Sequence, residues 1–179
     1  MGSTQPRRIE ERIARELGLA LALLAIALAQ AALMPRLLGS TPNLMLLLTI
    51  CQALIVGPAN AARWAFYGGL ALDLGADTAL GVHALALLAA VLVTAPILAR
   101  FSRGNWLLPL LGAMLGSLAY HTMLGLLTLL LVAPISPRVY LQVVALPSTI
   151  LVLVPALPLF LSMRWLEGRR RGEVPVDVY

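Results

Sequence analysis

Two aspartates and two histidines stand in or beside strongly apolar sequence: Asp73, Asp77, His83 and His121. A carboxylate in such surroundings is costly unless it faces protein or water, so it usually has a defined task. Metal or hydrolytic chemistry would need ligands at regular spacing, or a nucleophile with a base, and these four residues fit neither pattern. A proton or ion relay suits an intramembrane acid better, but the apolar segments supply no basic partner. The third task is architectural, a cap or hydrogen-bond anchor for a helix hairpin. The sequence favours that reading for Asp73, with His83 the nearest group to share its bond. His83 and His121 otherwise read as polar glue between helices, as do Gln30, Asn43 and Gln142. Walker, Rossmann, nucleophile-elbow and zinc-helix motifs are missing from the chain. No catalytic set, metal or cofactor is therefore expected.

The stretch that must position Asp73 runs from Ala59 to Leu88. Ala61, Ala65 and Gly69 recur every four residues, and Asp73 is the next step on that helical stripe. Small residues let helices approach closely, so Asp73 is expected to face protein. Gly81 sits at the turn before His83. A second small-residue pair, Gly112 and Gly116, marks another expected contact face, with His121 following it.

Composition decides the class. The 179 residues are 60% hydrophobic and 12% charged, with a mean hydropathy of +0.91. A soluble domain is normally about one-quarter charged, so this chain has too little polar surface and reads as an integral membrane protein. The single cysteine, Cys51, lies in an apolar run and excludes a disulfide framework. All 13 basic residues are arginine, giving a net charge of +5. They lie at the ends of apolar runs, where topology and anionic lipid explain them better than nucleic acid does.

Taken in order, residues 1–16 form a polar segment with Ile9, Ile13 and Leu17 four apart, expected as an amphipathic helix on the membrane surface. No cleavage site follows, so the next apolar run is expected to stay attached as an anchor. Six spans are expected, at about 17–33, 43–56, 59–74, 79–99, 106–132 and 139–163, in a single domain. The second is short for a bilayer core about 30 Å thick. The sixth contains Pro147, Pro155 and Pro158 and should be kinked or partly unwound. Residues 164–179 form a basic, polar tail.

With the N-terminus inside, the inner segments hold Arg7, Arg8, Arg12, Arg15, Arg63, Arg100, Arg103, Arg164, Arg169, Arg170 and Arg171, and the outer turns only Arg36 and Arg138. That positive-inside bias puts both ends in the cytoplasm, with Trp64, Trp106 and Trp165 at the inner interface. The fold class expected is an all-α integral membrane protein with six transmembrane helices. Asp73, ten residues beyond Arg63, would lie roughly 15 Å above it, between mid-membrane and the outer third.

At the hairpin the chain resembles the MreD family, the membrane subunit of the bacterial rod-shape and cell-elongation system. The resemblance rests on Pro42-Asn43 followed by leucines, on Gly69-Leu70 and Leu72-Asp73-Leu74 closing the third span, and on Leu80-Gly81 with His83-Ala84-Leu85 opening the fourth. It implies a non-catalytic scaffold in the bacterial cytoplasmic membrane. The partners implied are the single-span protein MreC and, through it, a RodA-like glycan polymerase and a penicillin-binding transpeptidase. MreB filaments belong to the same system. The family is similar in architecture to the substrate-binding subunits of energy-coupling-factor vitamin transporters, which supply the alternative function. Such a subunit should converge several polar or aromatic groups in its outer half, and few are evident.

Overall fold

The computed structural model describes residues 9–33, 42–76, 79–101, 107–131 and 136–171. Among these there is no strand; the elements are α1 (Ile9–Leu33), α2 (Leu44–Ile55), α3 (Pro58–Gly75), α4 (Val82–Leu98), α5 (Leu108–Leu131), α6 (Pro137–Tyr140), a π-helical turn (Leu141–Ala145) and α7 (Leu146–Arg171). Three helical stretches are long and apolar enough to cross a membrane, Ile9–Ala32, Leu108–Leu131 and Pro137–Arg169, and two shorter apolar helices accompany them. An all-helical, membrane-type protein is the result.

The first stretch differs from expectation in one respect. Residues 9–16 are not a separate surface helix, because they continue into the apolar part of α1 without a turn. No glycine–proline pair or capping residue interrupts Ile9–Leu33, so nothing in the backbone calls for a break. Glu16 then pairs with Arg63 of α3, tying the polar end of α1 to the bundle. The basic segment after Met163 also stays helical, through Arg171.

At Pro147 the last stretch is interrupted without unwinding. Pro147 has no N–H and its ring crowds the carbonyl four residues earlier. The backbone widens into the π-helical turn just before it, which is one way a helix absorbs an interruption. Backbone angles stay helical at Tyr140, Leu141 and Leu146, so α6, the π turn and α7 run on as one rod.

The short helix α2 lies in the middle, packed against α1, α3, α4, α5 and α7. Met45, Leu46, Leu47 and Ile50 are buried there, with Leu87 and Val91 of α4, Ala113 of α5 and Val152 of α7 in the same core. Close approach is made possible by glycines whose missing side chains leave room for α2: a Cβ on Gly68 would meet the Met45 sulfur at 2.5 Å, on Gly112 the Ile50 Cγ2 at 2.9 Å, and on Gly116 the Ile50 Cδ1 at 2.7 Å. Ser117 and Thr149 join α5 to α7 at 2.8 Å. Thr149 gives its one hydroxyl hydrogen to the Ala145 carbonyl, so Ser117 is the donor in that pair.

Gly69 is the tightest of these positions. A Cβ there would run into the Ala84 backbone, with the amide nitrogen at 2.5 Å and Cβ at 2.9 Å. Backbone cannot swing aside as a methionine or isoleucine side chain can. Gly69→Ala is therefore expected to cost about 3 kcal/mol or more, at or above the upper end of ordinary overpacking, and Gly112→Ala about 1 kcal/mol. Thermal unfolding in detergent checks the order; equal melting temperatures for the two variants would reject it.

Candidate functional site

The stripe Ala61, Ala65, Gly69 and Asp73 is buried along its whole length. Its end is the one acidic side chain within the core among the described residues: Asp73 is 4% exposed. Both carboxylate oxygens are engaged across the turn. Oδ2 accepts from the Gly81 amide at 2.8 Å, and Oδ1 accepts from the His83 amide at 2.9 Å. The same Oδ1 is 2.8 Å from His83 Nδ1. Asp73 thus closes the hairpin by capping α4 from the end of α3.

The chemistry of that cap follows from helix ends. The first N–H groups of any helix lack carbonyl partners within it and carry partial positive charge. A carboxylate placed there satisfies donors and complements the dipole together. Gly81 provides the entry to the helix at φ +97°, a left-handed conformation that glycine adopts without strain. Nothing lies within 4 Å of where its Cβ would be, so conformation rather than space calls for glycine.

A second cap, on α2, stands beside the first. Asn43, itself buried, accepts through Oδ1 from the Leu46 amide at 3.0 Å. Gln30 reaches over from α1 and accepts from the Leu44 amide at 3.0 Å. Tyr120 of α5 lies close to Asn43, and its ring centroid is 6.3 Å from that of His83. Asn43, Asp73, Gly81 and His83 are therefore drawn, with Tyr120, into one largely buried polar cluster that unites α2, α3, α4 and α5.

His121 lies on the far side of Tyr120, its ring edge-on at 5.1 Å. It turns to Tyr140 of α6, whose hydroxyl is 3.5 Å from His121 Nδ1, at the outer limit of a hydrogen bond. Gly112 and Gly116 face α2 rather than this cluster. Asp77 lies outside the described residues. Among those described, no three His, Cys, Asp or Glu side chains group as metal ligands would.

Tyr120 and Tyr140 went unnoticed in the sequence. A signal existed for Tyr120, which is the next step of four after Gly112 and Gly116 and so belongs to the same inward stripe. No local signal marks Tyr140: its place is set by Gly125, where a Cβ would lie 2.9 Å from the tyrosine Cε1.

Comparison with family models, curated proteins and solved structures gives no match to this chain. The cluster builds helix starts inside a bundle, and both oxygens of Asp73 are bonded in doing so.

Removing the cap tests its role. Asp73→Ala strands the Gly81 and His83 amides at about 1–3 kcal/mol for each buried donor left unsatisfied. Asp73→Asn keeps one acceptor but sets an amide NH₂ against a second N–H, and should lose about half as much. Chemical or thermal unfolding of the purified protein should rank wild type above Asn above Ala. An Ala variant as stable as wild type would remove Asp73 from the architecture.

Proposed function

We propose that this chain is a non-catalytic scaffold of the MreD type, with six spans and both ends cytoplasmic in a bacterial inner membrane. On this reading it holds an MreC-like single-span partner and, through it, helps to organise a RodA-like polymerase and a penicillin-binding transpeptidase. The observation that carries the reading is the α3–α4 hairpin. The residues behind the resemblance, Gly69, Asp73, Gly81, His83 and Ala84, are the ones that build it, through the Gly69–Ala84 approach and the Asp73 cap. Both oxygens of Asp73 are bonded within the fold, which supports an architectural use of the acid over a chemical one.

The six helical rods, α1 to α5 and the joined α6–α7, support the span count. Arg63 with Glu16 and Arg169 stacked on Trp165, 3.7 Å from the ring centroid, put arginines near the ends expected to face the cytoplasm. The small faces at Gly69, Gly112 and Gly116 are consumed within the chain, so a partner must meet other surfaces. α1 is the helix most open to one: it packs on α3 and lightly on α2, and leaves Leu17, Leu21 and Leu28 exposed.

Co-expression with a tagged MreC-like protein tests the proposal. The partner should retain this chain through detergent extraction and gel filtration, and an unrelated single-span protein should not. Leu21→Glu on α1 should weaken retention at least roughly tenfold, as a charge in a helix contact costs well over 1.4 kcal/mol. Failure of wild type to associate, or tight binding of biotin, thiamine or riboflavin by the purified chain, would overturn it.

A further inference from the structure

Between α5 and the α6–π turn the bundle leaves a groove of about 390 Å³, lined among others by Leu118, His121, Gly125, Leu129, Tyr140 and Leu141. None of the described residues lining it is charged. Around it, Leu126, Leu130, Val139 and Val143 are exposed, so in a membrane the groove lies in a lipid-facing wall. Its polar content is concentrated in two rings. His121 is 5% exposed, and its Nε2 is buried with no hydrogen-bond partner among the described residues. A buried polar atom left this way costs about 1–3 kcal/mol and calls for an explanation.

Hydrogen counting defines what is missing. A neutral imidazole carries one N–H and a tyrosine one O–H. The long Tyr140–His121 contact at 3.5 Å uses at most one of these. If the tyrosine hydroxyl donates to Nδ1 the spare hydrogen is on Nε2, and if Nδ1 donates to the hydroxyl the spare hydrogen is the tyrosine's; in each case the pair keeps one unused donor, which lacks an acceptor oxygen. The lining offers no cation for a phosphate, so the oxygen sought is a neutral one. The volume lies within the range of small-molecule pockets, about 300–1,000 Å³.

We propose that this groove holds one acyl chain of an ester-linked membrane phospholipid, whose ester carbonyl accepts the spare hydrogen of the Tyr140–His121 pair. The wide π-helical turn at Leu141–Ala145 and the glycine at 125 form the seat: Gly125 lets the Tyr140 ring lie against α5, with its hydroxyl at His121. This lipid site is independent of which protein the scaffold holds.

Native mass spectrometry of the full chain released from nanodiscs tests it, using diester phosphatidylcholine and its diether analogue as probes. One diester lipid should stay bound to wild type, and the diether, lacking the carbonyl, should be retained several-fold less. His121→Phe and Tyr140→Phe should each lower diester retention by roughly 2- to 10-fold, the equivalent of one net hydrogen bond, and should narrow the diester–diether difference. Thr122→Trp, from an exposed position on the groove wall, should abolish retention, while Leu161→Trp on α7 should leave it unchanged. Circular dichroism confirms that each variant is folded; if Thr122→Trp is not, Leu126→Trp on the same wall replaces it. Equal retention of diester and diether lipids, or no effect of the two Phe variants, would overturn the proposal. So would a blocked groove that keeps its lipid but loses a co-purifying membrane protein, since that assigns the groove to a partner helix.

Discussion

A helix that begins inside a bundle leaves its first N–H groups beyond the reach of water, and the rest of this structure depends on how that constraint is met. α4 begins with Asp73 holding Gly81 and His83. α2 begins with Asn43 and Gln30 holding Leu46 and Leu44. In each case the acceptor comes from a side chain, and for Gln30 and Asp73 from a neighbouring helix. The caps are therefore tertiary contacts as well as local ones, and each fixes where two helices stand relative to each other.

Short helices follow from such starts. α2 has 12 residues, about 18 Å of helix, well under the roughly 30 Å of a bilayer core. In a bilayer a helix that short covers only part of a crossing, so its ends lie below the interfaces and their polar groups have to be satisfied by protein. Its position at the centre of the bundle serves that need, and the glycines of α3 and α5 bring their helices close enough to enclose it. Packing and capping are thus one solution: Gly69 lets α4 lie against α3, which places Gly81 and His83 within reach of Asp73.

Much of this was legible in the residues. An acid on a small-residue stripe had to face protein, and an adjacent histidine across a tight turn was its natural partner. Helix content and the placing of most segments followed from apolar runs and breakers. Other features were hidden for physical reasons. The unbroken α1 was missed because a polar stretch before an apolar run carries no signal of direction, and only the Glu16–Arg63 pair shows where it leads. The π turn was missed because proline predicts an interruption without saying how the backbone absorbs it. The seat of Tyr140 depends on a glycine 15 residues earlier, a distance over which the sequence gives no register.

These features change what an acid in an apolar segment means. A reactive carboxylate needs an oxygen free to take a proton, bind a cation or meet substrate. Both oxygens of Asp73 are already bonded within the fold, one to the Gly81 amide and the other to the amide and the ring of His83. Its charge is already matched by the start of α4, where the helix dipole is positive. The group that does have unused capacity is neutral: the His121–Tyr140 pair, in a groove opening among exposed leucines. Leucine-rich spans are interchangeable in what they bury, so what distinguishes this chain is its few polar atoms and whether each is spoken for. By that measure the α3–α4 hairpin is architecture, and the recognition proposed for this chain is assigned to α1 and the groove beside α5.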